Sequence, residues 1–391
     1  MTMGLRGLLI LIGIAVASAA AQVVVVDKPG FYDYVSGERV VINASDVKIG
    51  VLEVRGGGGE VALPREMTAY KVKPTVGCVV VIGERVAVEA ARVHCVNGLL
   101  IFNSTDVYIG RLEMWGDPSL PVYRRGLGFY VFGSRNVTVN AAVGGYFHDC
   151  IYAEYSSALR IGNFSLASCR YGVHIMFSDG VSVANGVVRD SYVGVAVMYT
   201  SNATVKGVEA VDNREWSEGY GFLIAEVRGG AVEDCRAVGN IHGFYVLTWG
   251  GTAVAVSNCA IEGNYVGVTI RGKGSSGVAF YNNSLLGNVV QVVYMAIGED
   301  FPQARFVGNM WQGHGTSAPY VYVSAFSDLF TATEGALGWL AAFPARAVID
   351  GVAGRPLAFD PSPAPARGGS PWQLALLFAL PIVAYAARRR A

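Results

Sequence analysis

A short segment recurs about every 22 residues along the middle of the chain. In each copy, apolar residues occupy every second position. The clearest five begin at Gly172, Gly194, Gly221, Gly243 and Gly267. A repeat of this length is too short for a pair of helices and is typical of one turn of a β-solenoid. The pattern therefore predicts an all-β fold, a right-handed parallel β-helix.

A second strand in each repeat ends at a Gly-Asn corner. These corners lie at Asn240, Asn264, Asn288 and Asn309. Asn tolerates the left-handed backbone conformation, and stacked amides can hydrogen-bond from one coil to the next. With weaker repeats at Gly98 and Gly128, we expect roughly a dozen coils within residues 22–310, followed by a capping region at 311–360.

The two ends of the chain carry export and membrane signals. Residues 1–21 have an early Arg, an apolar stretch and a small-residue end, which is typical of a signal peptide. After a Pro/Gly linker at 361–371, an apolar segment at 372–387 and a basic tail at 388–391 predict a transmembrane anchor whose tail stays cytoplasmic. A helix packed on the body is the alternative. We expect an exported protein on the outer face of the cytoplasmic membrane.

Charge and composition narrow the function. Basic and acidic residues number 30 each, for a net charge of zero, so there is no basic field to attract nucleic acid. The 50 glycines and 15% charged residues suit stacked strands with tight turns. Six Asn-X-Ser/Thr sequons support an exported surface. They lie at Asn43, Asn103, Asn136, Asn163, Asn202 and Asn282.

The six cysteines allow disulfides without requiring them. They are Cys78, Cys95, Cys150, Cys169, Cys235 and Cys259. Cys235 and Cys259 fall at one position of successive coils, and Cys150 and Cys169 nearly do. Coils stacked about 4.8 Å apart could bridge such pairs, and a ladder of buried thiols is equally compatible. The sequence contains no Cys-X-X-Cys spacing, which would indicate a metal site.

One column of residues suggests copper. Side chains alternate along a strand, so His174 and Met176 share a face, and Met198 follows Met176 at the repeat spacing. Because the equivalent positions in a later coil are Thr269 and Arg271, we expect this face to be exposed to solvent. Imidazole with thioethers favours Cu(I). The alternative is that both methionines only fill gaps. Met295, His242 and His314 could lie on the same side.

An enzyme acting on polysaccharides is the main competing function. Such β-helices gather carboxylates on one outer face, whereas the acids here fall at different places in the repeat. An enlarged loop with Glu215, Trp216 and Glu218 could line a sugar groove. A glycan-active or glycan-binding surface protein, or a purely structural envelope protein, therefore stays open.

The run from Gly172 to Asn240 resembles the NosD family. The similarity lies in Gly172-Val-His-Ile-Met-Phe-Ser, Val193-Gly-Val-Ala-Val-Met-Tyr-Thr and Gly219-Tyr-Gly-Phe-Leu, in this order and spacing. Further similar elements are Gly308-Asn-Met-Trp311, Ala318-Pro-Tyr320 and Asp360-Pro-Ser-Pro363. The chain departs from the family at Gln312-Gly-His-Gly-Thr316 and in its C-terminal anchor.

The resemblance implies a non-enzymatic factor that supplies copper to nitrous oxide reductase. Its implied partners are the permease and ATPase of an ABC transporter, and a copper-containing reductase or copper chaperone. The implied cargo is Cu(I), with His174, Met176 and Met198 as candidate ligands. A docking surface without bound copper remains an alternative.

Overall fold

A computed structural model gives the structure of the protein. It describes residues 23–56, 72–214, 218–297, 303–312, 320–323 and 356–364.

Nearly all regular structure in the described residues is β-strand, apart from two short 3-10 helices, Pro74–Val76 and Val122–Arg124. The first strands are β1 (Val23–Val26), β2 (Gly30–Gly37), β3 (Arg39–Ile42), β4 (Val47–Arg55), β5 (Val79–Val81), β6 (Glu84–His94), β7 (Leu99–Phe102), β8 (Thr105–Trp115), β9 (Leu127–Phe132) and β10 (Arg135–Gly145). The middle strands are β11 (Asp149–Glu154), β12 (Ser157–Ala167), β13 (Tyr171–Met176), β14 (Asp179–Arg189), β15 (Val193–Met198), β16 (Ser201–Val211), β17 (Tyr220–Ala225), β18 (Arg228–Glu233), β19 (Arg236–Val238) and β20 (His242–Thr248). The last strands are β21 (Ala253–Ser257), β22 (Ala260–Glu262), β23 (Val266–Gly272), β24 (Ser275–Tyr281), β25 (Ser284–Leu286), β26 (Val290–Ala296), β27 (Gln303–Val307), β28 (Met310–Trp311), β29 (Tyr320–Val323) and β30 (Pro356–Asp360).

Strands β1 to β28 stack into a parallel solenoid of the right-handed type, as the repeat predicts, and β29 pairs with β30 in a separate antiparallel sheet. The first sheet contains β1, β3, β5, β7, β9, β11, β13, β15, β17, β20, β23 and β26, in this order. The main path of the second sheet contains β2, β4, β6, β8, β10, β12, β14, β16, β18, β21, β24 and β27, in this order, and β19, β22, β25 and β28 form a branch that begins at β16. In the first sheet Phe129 pairs with Ile151, Ile151 with Val173, and Val173 with Val195. Each partner lies 22 residues along the chain, a separation that recurs in hydrogen bonds between coils.

The core lies inside the coils and is built from alternate strand residues. Val173 and Ile175 of β13 stack against Val195 and Val197 of β15, and all four are buried. Farther along, the rings of Phe222 and Phe244 stack 4.7 Å apart. Each such fully buried apolar side chain contributes about 1.5–3 kcal/mol. β-branched residues fit this pleated interior, which explains why the segments form strands.

Buried asparagines bond the corners of successive coils together. In one ladder Asn240 Nδ2 donates to Asn264 Oδ1, and Asn264 Nδ2 donates to Asn288 Oδ1, each at 3.0 Å. The predicted amide stacking is therefore confirmed. The left-handed backbone, however, belongs to the preceding glycines, such as Gly239 (φ 70°) and Gly263 (φ 63°). Glycine takes this conformation without the steric cost of a Cβ atom. The asparagine that follows it contributes its side-chain amide to the ladder.

Asn309 belongs to a second ladder that meets the C-terminal segment. Asn283 Nδ2 donates to Asn309 Oδ1 at 3.0 Å, so Asn309 continues the column of Asn283 and not that of Asn288. Asp360 then accepts hydrogen bonds from the backbone N–H of Asn309 at 2.8 Å and from Trp311 Nε1 at 3.1 Å. Its carboxylate thereby satisfies the last corner of the solenoid. The elements Gly308-Asn-Met-Trp311 and Asp360-Pro-Ser-Pro363, which both resemble the NosD family, therefore contact each other.

Five of the six sequon asparagines occupy left-handed backbone positions. Their φ angles lie between 45° and 54°. They are Asn103, Asn136, Asn163, Asn202 and Asn282. Asn is among the few residues other than Gly that adopt this conformation readily. These asparagines thus have a conformational role that is independent of glycosylation.

The cysteines divide into two bonded pairs and two thiols. Disulfides join Cys78 to Cys95 and Cys150 to Cys169. Cys235 and Cys259 are buried free thiols, and the Cys235 backbone N–H lies 3.4 Å from Cys259 Sγ on the next coil. The equivalence of these two positions is confirmed, and the structure has them as a ladder of thiols.

The predicted signal peptide, anchor and basic tail lie outside the described residues, as do most of the capping region and linker. Within the part of the chain that the structure describes, no helix is long and apolar enough to span a membrane.

Candidate functional site

The predicted histidine and methionines come together on the outer side of the first sheet. His174 lies within β13 and Met176 at its end, and Met198 ends β15. Met176 and Met198 are direct neighbours in the strand register, as the repeat spacing predicts. Both methionines are partly exposed.

The prediction that this face is exposed to solvent is wrong for His174. Its exposed fraction is 4%, because its ring stacks on Tyr152 at 4.6 Å and on Tyr171 at 4.3 Å. The comparison with the later coil also fails. Thr269 is fully buried, its Oγ1 lying 2.9 Å from His242 Nδ1, and Arg271 is half-buried. Aromatic side chains on the outer face cover polar groups that alternation alone would assign to solvent.

A fully buried carboxylate, Asp149, fixes the orientation of two histidines. Its Oδ2 lies 2.8 Å from His174 Nδ1, and its Oδ1 lies 2.9 Å from His148 Nδ1. Burial by itself raises the pKa of Asp149, but the hydrogen bonds and charges of the two imidazoles outweigh it and hold the pKa well below its usual range. Asp149 is therefore ionised and can only accept hydrogen bonds, so His174 Nδ1 donates one to it, while His148 Nδ1 lies at ion-pair distance.

A second buried carboxylate, Glu154, lies beside Met176. The two residues are neighbours in the register of β11 and β13, and Glu154 is fully buried. Its Oε1 accepts the hydroxyl of Tyr130 at 2.5 Å. Burial raises the pKa of Glu154, and hydrogen bonds from Tyr130 and Tyr152 act in the opposite direction. The Tyr152 hydroxyl also lies 3.8 Å from Met176 Sδ, which connects the carboxylate to the thioether.

Two buried polar atoms in this cluster lack a partner. Neither His174 Nε2 nor Glu154 Oε2 has a hydrogen-bond partner among the described residues. In the neutral form of an imidazole whose Nδ1 donates to a carboxylate, Nε2 is the nitrogen that carries the lone pair. In metal-binding histidines one ring nitrogen binds the metal and the other donates a hydrogen bond to a group such as a carboxylate. Imidazole and thioether suit Cu(I), so the residues present fit copper.

No group of three or more His, Cys, Asp or Glu side chains in the described ranges could hold one metal ion. A site in this cluster would therefore depend on the methionines.

A stack of aromatic rings borders the cluster. Tyr155, Phe177 and Tyr199 directly follow Glu154, Met176 and Met198 in sequence. The ring of Phe177 lies 5.1 Å from Tyr155 and 5.2 Å from Tyr199, nearly parallel to both. All three rings are exposed at their edges. They form an exposed aromatic column that follows the column of Glu154, Met176 and Met198 in sequence.

The other sequence candidates do not join this cluster. Met295 lies in β26, three coils beyond β17, where it pairs in register with Arg271, and His242 is held by Thr269. His314, Glu215 and Trp216 lie outside the described residues, and Glu218 is exposed.

Asp149 and Glu154 are the functional candidates that sequence reasoning missed. Glu154 precedes Met176 by the same 22 residues that separate Met176 from Met198, and the register confirms the column. Counting backwards by one repeat would have found it.

A model of the family described as "Periplasmic copper-binding protein (NosD)" matches residues 111–324. A search of curated proteins gave no match. The matched region spans more than half of the chain and contains Asp149, Glu154, His174 and both methionines. The chain therefore belongs to the NosD family.

Proposed function

We propose that the protein is an exported, non-enzymatic factor that carries Cu(I) as cargo, with His174, Met176 and Met198 as its ligands. The observation that carries this proposal is the buried His174 Nε2, which has no partner among the described residues and lies in the same cluster as Met176. The description of the matching family, a periplasmic copper-binding protein, supports it.

The surroundings of His174 suit a ligand. Asp149 keeps the proton on Nδ1, and Tyr152 and Tyr171 hold the ring between them. Such outer-sphere contacts fix the tautomer and orientation of a metal-binding imidazole. The histidine would therefore meet the ion with little reorganisation.

The methionines suit a site that must release its ion. Both are partly exposed, whereas His174 is buried. Thioethers are soft, flexible ligands that select Cu(I) over Zn and Mg. An ion entering from outside would meet Met198 and Met176 before His174, and it could leave by the same route.

We further propose that the cargo is delivered to nitrous oxide reductase, in concert with the permease and ATPase of an ABC transporter and with a copper chaperone. Membership of the NosD family supports this assignment. Residues 372–387 would hold the β-helix at the outer face of the cytoplasmic membrane. Deleting the gene should leave the reductase folded but poor in copper, which metal analysis of the purified reductase measures. A fully metallated reductase in the deletion strain would contradict the assignment.

A Cu(I) competition titration of the full chain tests direct binding. We expect tight binding that weakens by at least about tenfold in His174→Ala and Met176→Leu, and by less in Met198→Leu. Met114→Leu is the matched control, because Met114 is buried in the core and this exchange conserves volume. Equal affinity in the parent and His174→Ala would contradict the site. No binding by the parent would leave a docking role.

A further inference from the structure

The proposed ligands leave the charge of the ion uncompensated. Imidazole and two thioethers are neutral, so Cu(I) held by them keeps its full positive charge. His174 is buried and Met176 is packed against a buried apolar cluster. A cation in such surroundings is strongly disfavoured unless an anion lies beside it.

Asp149 cannot supply this charge directly. Both of its oxygens lie against imidazole nitrogens, His148 Nδ1 at 2.9 Å and His174 Nδ1 at 2.8 Å. It acts on the ion only through the His174 ring.

Glu154 is placed to supply the missing anion. It is the register neighbour of Met176, so the column reads Glu154, Met176, Met198 along three successive strands of the first sheet. Its carboxylate is fully buried, and Oε1 is held by the Tyr130 hydroxyl at 2.5 Å. Oε2 has no hydrogen-bond partner among the described residues.

Tyr152 contacts both Glu154 and His174. The His174 ring stacks on the Tyr152 ring, and the Tyr152 hydroxyl reaches both Glu154 and Met176 Sδ. The cluster thus contains one nitrogen and one oxygen without a hydrogen-bond partner among the described residues, and the Met176 thioether lies on the same strand as the nitrogen.

We propose that Glu154 is a ligand of the copper cargo, binding through Oε2 and providing the negative charge that a buried cation requires. This inference rests on the proposed function and adds a fourth residue to it. The resulting donor set has two sulfurs, one nitrogen and one oxygen, and its net charge with Cu(I) is zero.

The test compares the full-length parent with Glu154→Gln by Cu(I) competition titration. Gln keeps the shape of the side chain and an oxygen for the Tyr130 hydroxyl, but it lacks the charge. We expect Glu154→Gln to bind Cu(I) at least about tenfold more weakly than the parent. Glu209→Gln is the matched control, because Glu209 is an exposed acid on the second sheet, paired with Arg236. It should bind like the parent.

The outcomes separate the two proposals. If the parent binds and His174→Ala weakens binding while Glu154→Gln does not, the copper site stands and the role of Glu154 is overturned. If the parent binds no Cu(I), both proposals fall.

X-ray absorption at the copper edge of the loaded parent gives a second readout that does not depend on how any variant folds. Two light-atom ligands beside the sulfurs support Glu154, and a single light-atom ligand contradicts it.

Discussion

At the scale of single residues, the site depends on contacts that alternation along a strand does not reveal. The column of His174, Met176 and Met198 could be identified from the sequence, because strand alternation and the repeat spacing are enough to place these residues. Sequence reasoning misjudged the exposure of His174, since the covering Tyr152 ring comes from the neighbouring strand β11 and the Tyr171 ring from three residues earlier in β13. It also missed Asp149, which reaches His174 diagonally between coils and not within one column.

Replacing Asp149 with Asn should destabilise the fold. The change leaves two buried imidazoles without their shared anionic acceptor, so we expect a loss of about 3 kcal/mol in the free energy of unfolding at pH 7. Urea denaturation measures it. Asp190→Asn is the control, because Asp190 is exposed and Asn tolerates its left-handed backbone.

The stability difference between the parent and Asp149→Asn should depend on pH. The pKa of Asp149 is lowered in the folded state, so its contribution is present above the unfolded pKa of about 3.9 and is lost as the pH falls towards the folded value. The difference should be constant near neutral pH and narrow below about pH 4. A difference that widens in acid would refute this account of Asp149.

At the scale of elements, the sequence predicted the coils well and their corners less well. Strands were predictable because inward positions such as Val173 and Ile175 must be apolar in every coil. The Gly-Asn pairs marked the corners. They did not show which of the two residues takes the left-handed conformation, because that depends on the direction in which the Asn amide must point. Asn309 was assigned to the wrong ladder because two ladders run side by side and share the same short motif.

Breaking the amide ladder at Asn264 should be costly. Asn264 Oδ1 accepts from the Asn240 backbone N–H at 2.9 Å and from Asn240 Nδ2 at 3.0 Å. Asn264→Ala leaves both donors buried without an acceptor, for a loss of about 2–5 kcal/mol in unfolding free energy. Asn140→Ala, on the exposed face of β10, should change it by less than about 0.5 kcal/mol. Equal effects in thermal or urea denaturation would show that the ladder is dispensable.

Asp360 should protect the last coil. Asp360→Ala removes the acceptor for the backbone N–H of Asn309 and for Trp311 Nε1. We expect faster hydrogen exchange in peptides covering residues 303–312 and unchanged exchange near β13, because coils in a solenoid contact only their neighbours. Ser362→Ala is the control, since its side chain is exposed. Unchanged protection in Asp360→Ala would mean that the segment does not cap the solenoid.

At the scale of the whole molecule, insertions between strands limited what the sequence could reveal. The pairing of Val40 with Val79 spans 39 residues, because residues 57–71 lie between β4 and β5. This departure from the repeat hid the proximity of Cys78 and Cys95. Between Cys235 and Cys259 the repeat is only slightly longer, 24 residues against 22 in the middle coils, so the equivalence of these two positions was readable.

The thiol content of the unfolded protein checks this arrangement. Alkylation in denaturant without reductant should label Cys235 and Cys259 alone, and prior reduction should expose all six cysteines. Peptide mass spectrometry identifies the labelled positions. Labelling of Cys150 without reduction, or a disulfide between Cys235 and Cys259, would contradict the pairing.

The most direct test of the central claim is anomalous diffraction from crystals of the protein soaked with Ag(I), which mimics Cu(I) without redox chemistry. We expect one strong peak in contact with His174 Nε2 and Met176 Sδ, next to Glu154. A crystal with no peak in this cluster, or with silver bound only at other methionines, would contradict it.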